Sequence, residues 1–196
     1  MTDSYKLPAE AAERLNNLVG QIEANPGELI DLEDFEARQR DLDMKQVVLD
    51  LREGLSEDDL AGILKLALLT ECATDSYARA IGERARRFGA GWLTRFNDNV
   101  WTPDELTHSD PYKLILMNLG FSEGELDREI KETQEREFVH YGGDTPVHVT
   151  TFGMVQEYLT DNWHGLIARL LKRASPQAAY MANRIKRRET LVVVSW

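Results

Sequence analysis

Four glutamates and one histidine stand out by their neighbours and their spacing. Glu71 follows Ala67 and Leu68 by four and three positions in a helical apolar pattern, so it projects from a stripe that should be buried. Glu105 and His108 are three apart, which places a carboxylate and an imidazole on one helix face. Glu157 shares a face with Gly153, Thr160 and His164 inside an otherwise apolar stretch. Glu189 is followed three residues on by Val192. A buried ionised carboxylate is costly unless it is paired or holds a metal, and carboxylates with imidazole suit divalent transition metals. Each residue also has an ordinary use. Glu71 could reach outward from the stripe's edge or pair with an arginine. Thr102-Pro103-Asp104-Glu105 has the form of a capping box, with Glu105 folded back to the helix start. The small, polar face around Glu157 suits helix packing as well as a lined cavity.

Such side chains need long helices to carry them. Ser56-Glu57-Asp58-Asp59 has capping-box form and opens a helical pattern through Leu60, Ile63, Leu64, Ala67, Leu68, Ala78 and Ile81 to about Phe88. A second stretch runs from Trp92 to Leu119, interrupted at Thr102-Pro103. Between Gly120 and Val147 lies a polar connection with one charged helix, Glu125 to Glu137, and a Gly142-Gly143 turn; its length suits a crossover. The third helix covers Val149 to Lys172, its greasiest stripe being Phe152, Leu159, Trp163 and Leu170. Ser175-Pro176 supplies an N-cap and a first-turn proline for a fourth helix running toward Trp196. Only Leu191 to Val194 reads as strand by propensity, and so short a run does not decide between states. The expected fold is all-α: a four-helix bundle over residues 55–196 with a long crossover between helices two and three, preceded by an N-terminal arm of short helices over 1–54.

Composition narrows the function classes. A chain of 196 residues with 42% hydrophobic side chains can bury a sizeable core. A single cysteine, Cys72, excludes a disulfide framework and a multi-cysteine zinc site. The net charge of -11 disfavours general nucleic-acid binding. No apolar run is long enough for a membrane span, and the polar N-terminus lacks a signal-peptide pattern, so a cytoplasmic protein is expected. Residues 165–196 run against the acidic trend, with seven bases (Arg169, Lys172, Arg173, Arg184, Lys186, Arg187, Arg188) against Glu189 alone. That stretch could steer an acidic partner or form a solvated helix face.

Taken together, the donors are a lone Glu on helices one and three, Glu-x-x-His on helix two, and Glu-x-x-Val on helix four. Ferritin-like di-iron proteins draw one Glu from each of two helices and Glu-x-x-His from each of the other two. His164 lies about 10 Å along the helix from Glu157 and is not expected to make good the missing histidine.

The motifs resemble those of the soluble acyl-carrier-protein desaturases. Leu69-Thr70-Glu71 with Tyr77 six residues on is similar to that family's first ligand helix. The segment from Trp101 through Thr102-Pro103-Asp104-Glu105-Leu106-Thr107-His108 to Asp110 resembles the family's Trp-Thr-Ala-Glu-Glu-Asn-Arg-His-Gly-Asp run. Gln156-Glu157, Thr160 and His164-Gly165 resemble its third ligand helix. The resemblance covers roughly residues 55–192 and implies iron ligation by Glu71, Glu105, His108, Glu157 and Glu189, with Thr160 beside the oxygen-binding face. It further implies two iron ions, dioxygen as co-substrate, an acyl chain carried on acyl carrier protein, a ferredoxin-type electron donor and a homodimer. Arg188 stands where the family usually has Asp, and family members continue through further C-terminal helices. A non-catalytic or metal-deficient bundle that binds a carrier or a partner subunit is the alternative expectation.

Overall fold

The computed structural model describes residues 7–38, 56–136, 143–172 and 175–193, and every regular element among them is helical. In order these are α1 (Ala9–Ala24), α2 (Leu32–Arg38), α3 (Glu57–Glu71), α4 (Thr74–Phe88), α5 (Gly91–Phe96), a π-helical segment (Asn97–Trp101), α6 (Thr102–Glu105), α7 (Ser109–Asn118), α8 (Glu123–Gln134), α9 (Pro146–Leu171) and α10 (Pro176–Val193). No described helix is long and apolar enough to cross a membrane.

Local side-chain caps fix the starts of α3 and α10. Ser56 caps α3 reciprocally: its hydroxyl accepts from the Asp59 amide at 3.1 Å, and the Asp59 carboxylate accepts from the Ser56 amide at 2.7 Å. Ser175 Oγ accepts from the Ala178 amide at 3.1 Å, and Pro176 starts α10. The apolar run at its end is helical through Val193, so helix-forming context overrides β propensity there.

Two expected elements differ. The helix from Ser56 to Phe88 is broken at Cys72-Ala73, directly after Glu71. Thr74 Oγ1 donates to the Glu71 carbonyl at 2.7 Å, so a side-chain hydroxyl serves that carbonyl at the break, and Ser76 Oγ joins the backbone amides on the Ala73 carbonyl at 2.8 Å. The second stretch is not interrupted at Thr102-Pro103. A π turn reaches Thr102, whose amide donates to the Asn97 carbonyl, and Pro103 sits early in α6 where it needs no donor of its own. The break falls instead at Leu106 to His108. The charged helix of the connection is α8, beginning two residues earlier than expected, while Gly142 lies outside the described residues.

Two cores result. The larger joins Leu60, Leu64, Ala67 and Leu68 of α3 to Tyr112, Ile115 and Leu116 of α7, Leu126 of α8, Ile167 and Leu171 of α9, and Ala178, Ala182 and Ile185 of α10. Full burial of each Leu or Ile there contributes about 1.5–3 kcal/mol. The second gathers Ile81 and Ala85 of α4, Trp92, Leu93 and Phe96 of α5, Trp101 and Val149. The N-terminal segment takes part in both, through Val19 in the second core and Ile30 and Phe35 in the first. α9 packs along α10 where small residues allow it. A Cβ on the buried Gly165 would lie 3.1 Å from Lys186 Cε.

Candidate metal centre

Glu71, Glu105, His108 and Glu189 come together in the interior, and each offers a ligand atom within 4.8 Å of the others. The break after α3 sets Glu71 at the helix end, the π turn and α6 deliver Glu105, and α10 presents Glu189 from the far side. All four are buried, Glu189 and His108 completely. His108 Nδ1 stands 3.2 Å from Glu189 Oε1 and 3.6 Å from both Glu71 Oε2 and Glu105 Oε2. Neither His108 nitrogen has an aligned hydrogen-bond partner, nor do Glu105 Oε1 and either Glu189 oxygen. Buried polar atoms are normally satisfied, so convergent lone pairs without partners point to a ligand. This group could hold a metal ion.

The ordinary uses of these residues do not apply. Thr102 is helical, no side chain caps α6, and Glu105 does not fold back to its start. Glu71 neither reaches solvent nor meets an arginine; its close neighbours are His108 and His164.

Glu157 is buried on α9, where the Trp101 indole donates to its Oε1 at 2.8 Å. It borders a pocket shared with Glu71, Glu105, Tyr77 and Thr160. Thr160 is half-buried there and donates back to the Gln156 and Glu157 carbonyls at 3.2 and 3.1 Å. A neighbouring, almost wholly apolar pocket shares Tyr77, Trp101, Gln156 and Glu157 with the first and adds Ile81, Phe152 and Gly153. The greasiest stripe of α9 does not point inward as a whole: Leu159 is 62% exposed, whereas Glu157 is 3% exposed.

Sequence reasoning set His164 aside, and the structure places it beside the same carboxylates. His164 Nε2 lies 3.1 Å from Glu71 Oε1 and 3.5 Å from Glu189 Oε1. Its distance along α9 from Glu157 was the wrong measure, because it meets carboxylates from α3 and α10. Position 192 is helical, but its side chain lies outside the described residues. Three further residues border the group in ways not expected from the sequence. Arg188 Nε donates to Asp104 at 2.8 and 3.1 Å, and Asp104 Oδ1 lies 3.6 Å from His108 Nε2. The Tyr112 hydroxyl is 2.5 Å from His164 Nδ1. Asp104 and Tyr112 sit four residues on either side of His108, which was the available signal.

Charge is balanced inside the pocket. Burial pushes Glu105 up, the Glu189 charge adds to this, and His108 only partly offsets it, leaving the carboxyl at about 8. Burial, with the Glu105 and Glu189 charges, raises Glu157 well above the carboxylate range. Burial pulls His164 down, but the Glu71 charge and the nearby Glu189 outweigh it, giving about 9. His108 is likewise raised against its burial by Glu105, Asp104 and Glu189. Burial opposes ionisation of Glu71 and Glu189, yet the imidazoles, and for Glu189 contact with Glu157, hold both below their ordinary values. In the metal-free pocket the raised imidazoles thus offset the charge of the lowered Glu71 and Glu189.

A pH dependence follows. His164 is raised to about 9 from 6.5, so its contribution to stability is complete below about 6.5 and lost as pH climbs through 9. Glu105 acts in the same direction, because the unfolded chain ionises it from about 4.5 upward while the fold keeps it protonated to about 8. The lowered Glu71 and Glu189 act on the acid side, where stability is lost as pH falls below the ordinary carboxylate range. The metal-free protein is expected to melt highest in mild acid and progressively lower toward pH 9. A bound divalent cation must displace these protons, so added Zn2+ is expected to stabilise more as pH rises. Thermal melts from pH 5 to 9 with and without Zn2+ check both trends. A metal-free melting temperature that climbs from pH 6 to 9 would contradict them.

The basic stretch is partly engaged. Arg188 is buried on Asp104, Lys186 donates to Asp161 at 2.9 Å, and Arg184 lies 3.7 Å from Glu28; Arg169, Lys172 and Arg187 are exposed, while Arg173 lies outside the described residues.

No family model, curated protein or solved structure matches the chain.

Proposed function

We propose that the chain is a ferritin-like, di-iron oxidoreductase of the acyl-carrier-protein desaturase type. One observation carries this: buried donors from separate helical segments, Glu71, Glu105, His108 and Glu189, converge with unsatisfied lone pairs, and Glu157 borders the same cavity. Two iron ions held by these five residues would supply the electron-transfer chemistry needed to use dioxygen. In the balanced reaction, a saturated –CH2–CH2– unit, O2, two electrons and two protons give –CH=CH– and two waters.

The chain's own residues have definable tasks. Trp101 fixes the orientation of Glu157 through its indole N–H. Asp104, clamped by Arg188, stands behind His108 with Oδ1 3.6 Å from Nε2, and sets a negative charge on the side of the ring away from the other carboxylates. The largely apolar pocket beside Glu157, walled by Ile81, Val149 and Phe152, marks the side from which an alkyl chain would approach, and it would have to widen to admit one. Thr160 offers a hydroxyl at the cavity wall. Exposed Arg169, Lys172 and Arg187 suit an acidic acyl carrier protein, and a ferredoxin-type protein would deliver the electrons. Exposed Val155, Leu159 and Leu166 form a stripe along α9, which supports homodimerisation.

Anaerobic reconstitution with ferrous iron is expected to give about two irons per chain. With reduced donor, oxygen and a saturated acyl carrier protein, the loaded protein should yield a product lighter by two hydrogens. Fewer than one iron per chain would overturn the proposal and leave a non-catalytic bundle.

A further inference from the structure

We infer that His164 of α9 supplies the second imidazole of the metal centre, the donor that a Glu-x-x-Val sequence on α10 does not provide. This rests on the metal centre proposed above and adds a ligand to it. His164 is fully buried, and its Nε2 has no hydrogen-bond partner. That nitrogen stands 3.1 Å from Glu71 Oε1 and 3.5 Å from Glu189 Oε1. Donors at about 2.0–2.2 Å from one cation are separated from each other by about 3 Å along a coordination edge, so these spacings suit shared ligation. The distances are short, yet the alignment is not that of a hydrogen bond.

The ring is held for this role from behind. Tyr112 OH lies 2.5 Å from Nδ1, and its ring stacks on the imidazole with centroids 5.6 Å apart and planes 16° from parallel. Fixing Nδ1 on an oxygen leaves Nε2 as the metal-facing nitrogen. Glu71 offers Oε2 to His108 and Oε1 to His164, so each imidazole faces a different oxygen of one carboxylate. With Glu71, Glu105, Glu157, Glu189 and His108, His164 completes a set of four carboxylates and two imidazoles. That is the full donor complement of a carboxylate-bridged metal pair.

The chain has four histidines, so ring-nitrogen NMR on uniformly 15N-labelled protein can follow each one. Titration with Zn2+ is expected to move Nε2 of His164 into the metal-bound range along with one nitrogen of His108, leaving His140 and His148 unmoved. In parallel, His164→Ala is expected to hold about one ferrous ion where the parent holds about two. If His108 responds to Zn2+ and His164 does not, His164 is no ligand and the inference falls while the metal centre stands. If neither imidazole responds and no metal is taken up, the metal centre itself fails. The NMR arm uses the unaltered protein, so a poorly folded variant cannot obscure the result.

Discussion

Glu189→Gln is expected to abolish most of the thermal stabilisation that metal loading confers. A cation present at about a thousand times its dissociation constant stabilises the fold by about 4 kcal/mol. For a chain of this size that corresponds to a rise of about 8–16 °C in melting temperature. Glu189 presents one oxygen to both imidazoles, with Oε1 at 3.2 Å from His108 Nδ1 and 3.5 Å from His164 Nε2, and it is wholly buried. Glutamine keeps its volume and one carbonyl oxygen, so the packing of α10 is preserved. It removes the negative charge, and an amide is a far weaker ligand than a carboxylate for a divalent ion. The loaded variant should therefore rise by less than about 4 °C under the same conditions. Scanning calorimetry with and without ferrous iron or Zn2+ measures this. An undiminished rise would mean that the cation binds elsewhere.

Arg188→Met should destabilise the protein by about 3–5 kcal/mol, even though the new side chain is apolar and similar in length. Asp104 is 2% exposed and depends on Arg188 Nε for two hydrogen bonds. Removing the guanidinium leaves a buried carboxylate without its main partner, which costs more than the pair's net contribution. Arg188 Nη1 also donates to the Pro26 carbonyl at 2.8 Å, joining the N-terminal segment to α10. The contact is close because Gly27, at a φ of 73°, has no Cβ; one would lie 2.5 Å from Nη1. Lysine is expected to restore little, since a point charge lacks the planar fork that serves Asp104 and Pro26 together. Adding Asp104→Asn to Arg188→Met should recover part of the loss, because the unpaired charge goes with it. Urea denaturation of the three variants reads these differences. A loss under about 1 kcal/mol for Arg188→Met would show that Asp104 is satisfied without it.

Much of the site was legible because its chemistry is local. Glu105 and His108 are one helical turn apart, and Glu71 interrupts an apolar stripe, so both anomalies appear within a few residues of sequence. The same holds for the ends of α3 and α10, where the Ser56–Asp59 box and Ser175-Pro176 act over three or four positions.

The remaining features depend on partners far away in the chain. Glu157 meets Trp101 across 56 residues, Tyr112 meets His164 across 52, and Arg188 meets Asp104 across 84. Helical periodicity says which residues share a face but not which face another helix will meet. Thus the oily stripe of α9 suggested an inward Leu159, while packing against α10 turned Glu157 and His164 inward instead. The break after Glu71 and the π turn before α6 are small departures from regular geometry with large effects on where carboxylates point. Residue type and spacing settled which groups could bind a cation. Assembly of the helices settled which of them surround one point, because a buried charge is tolerable only where distant segments bring it a counter-charge or a metal.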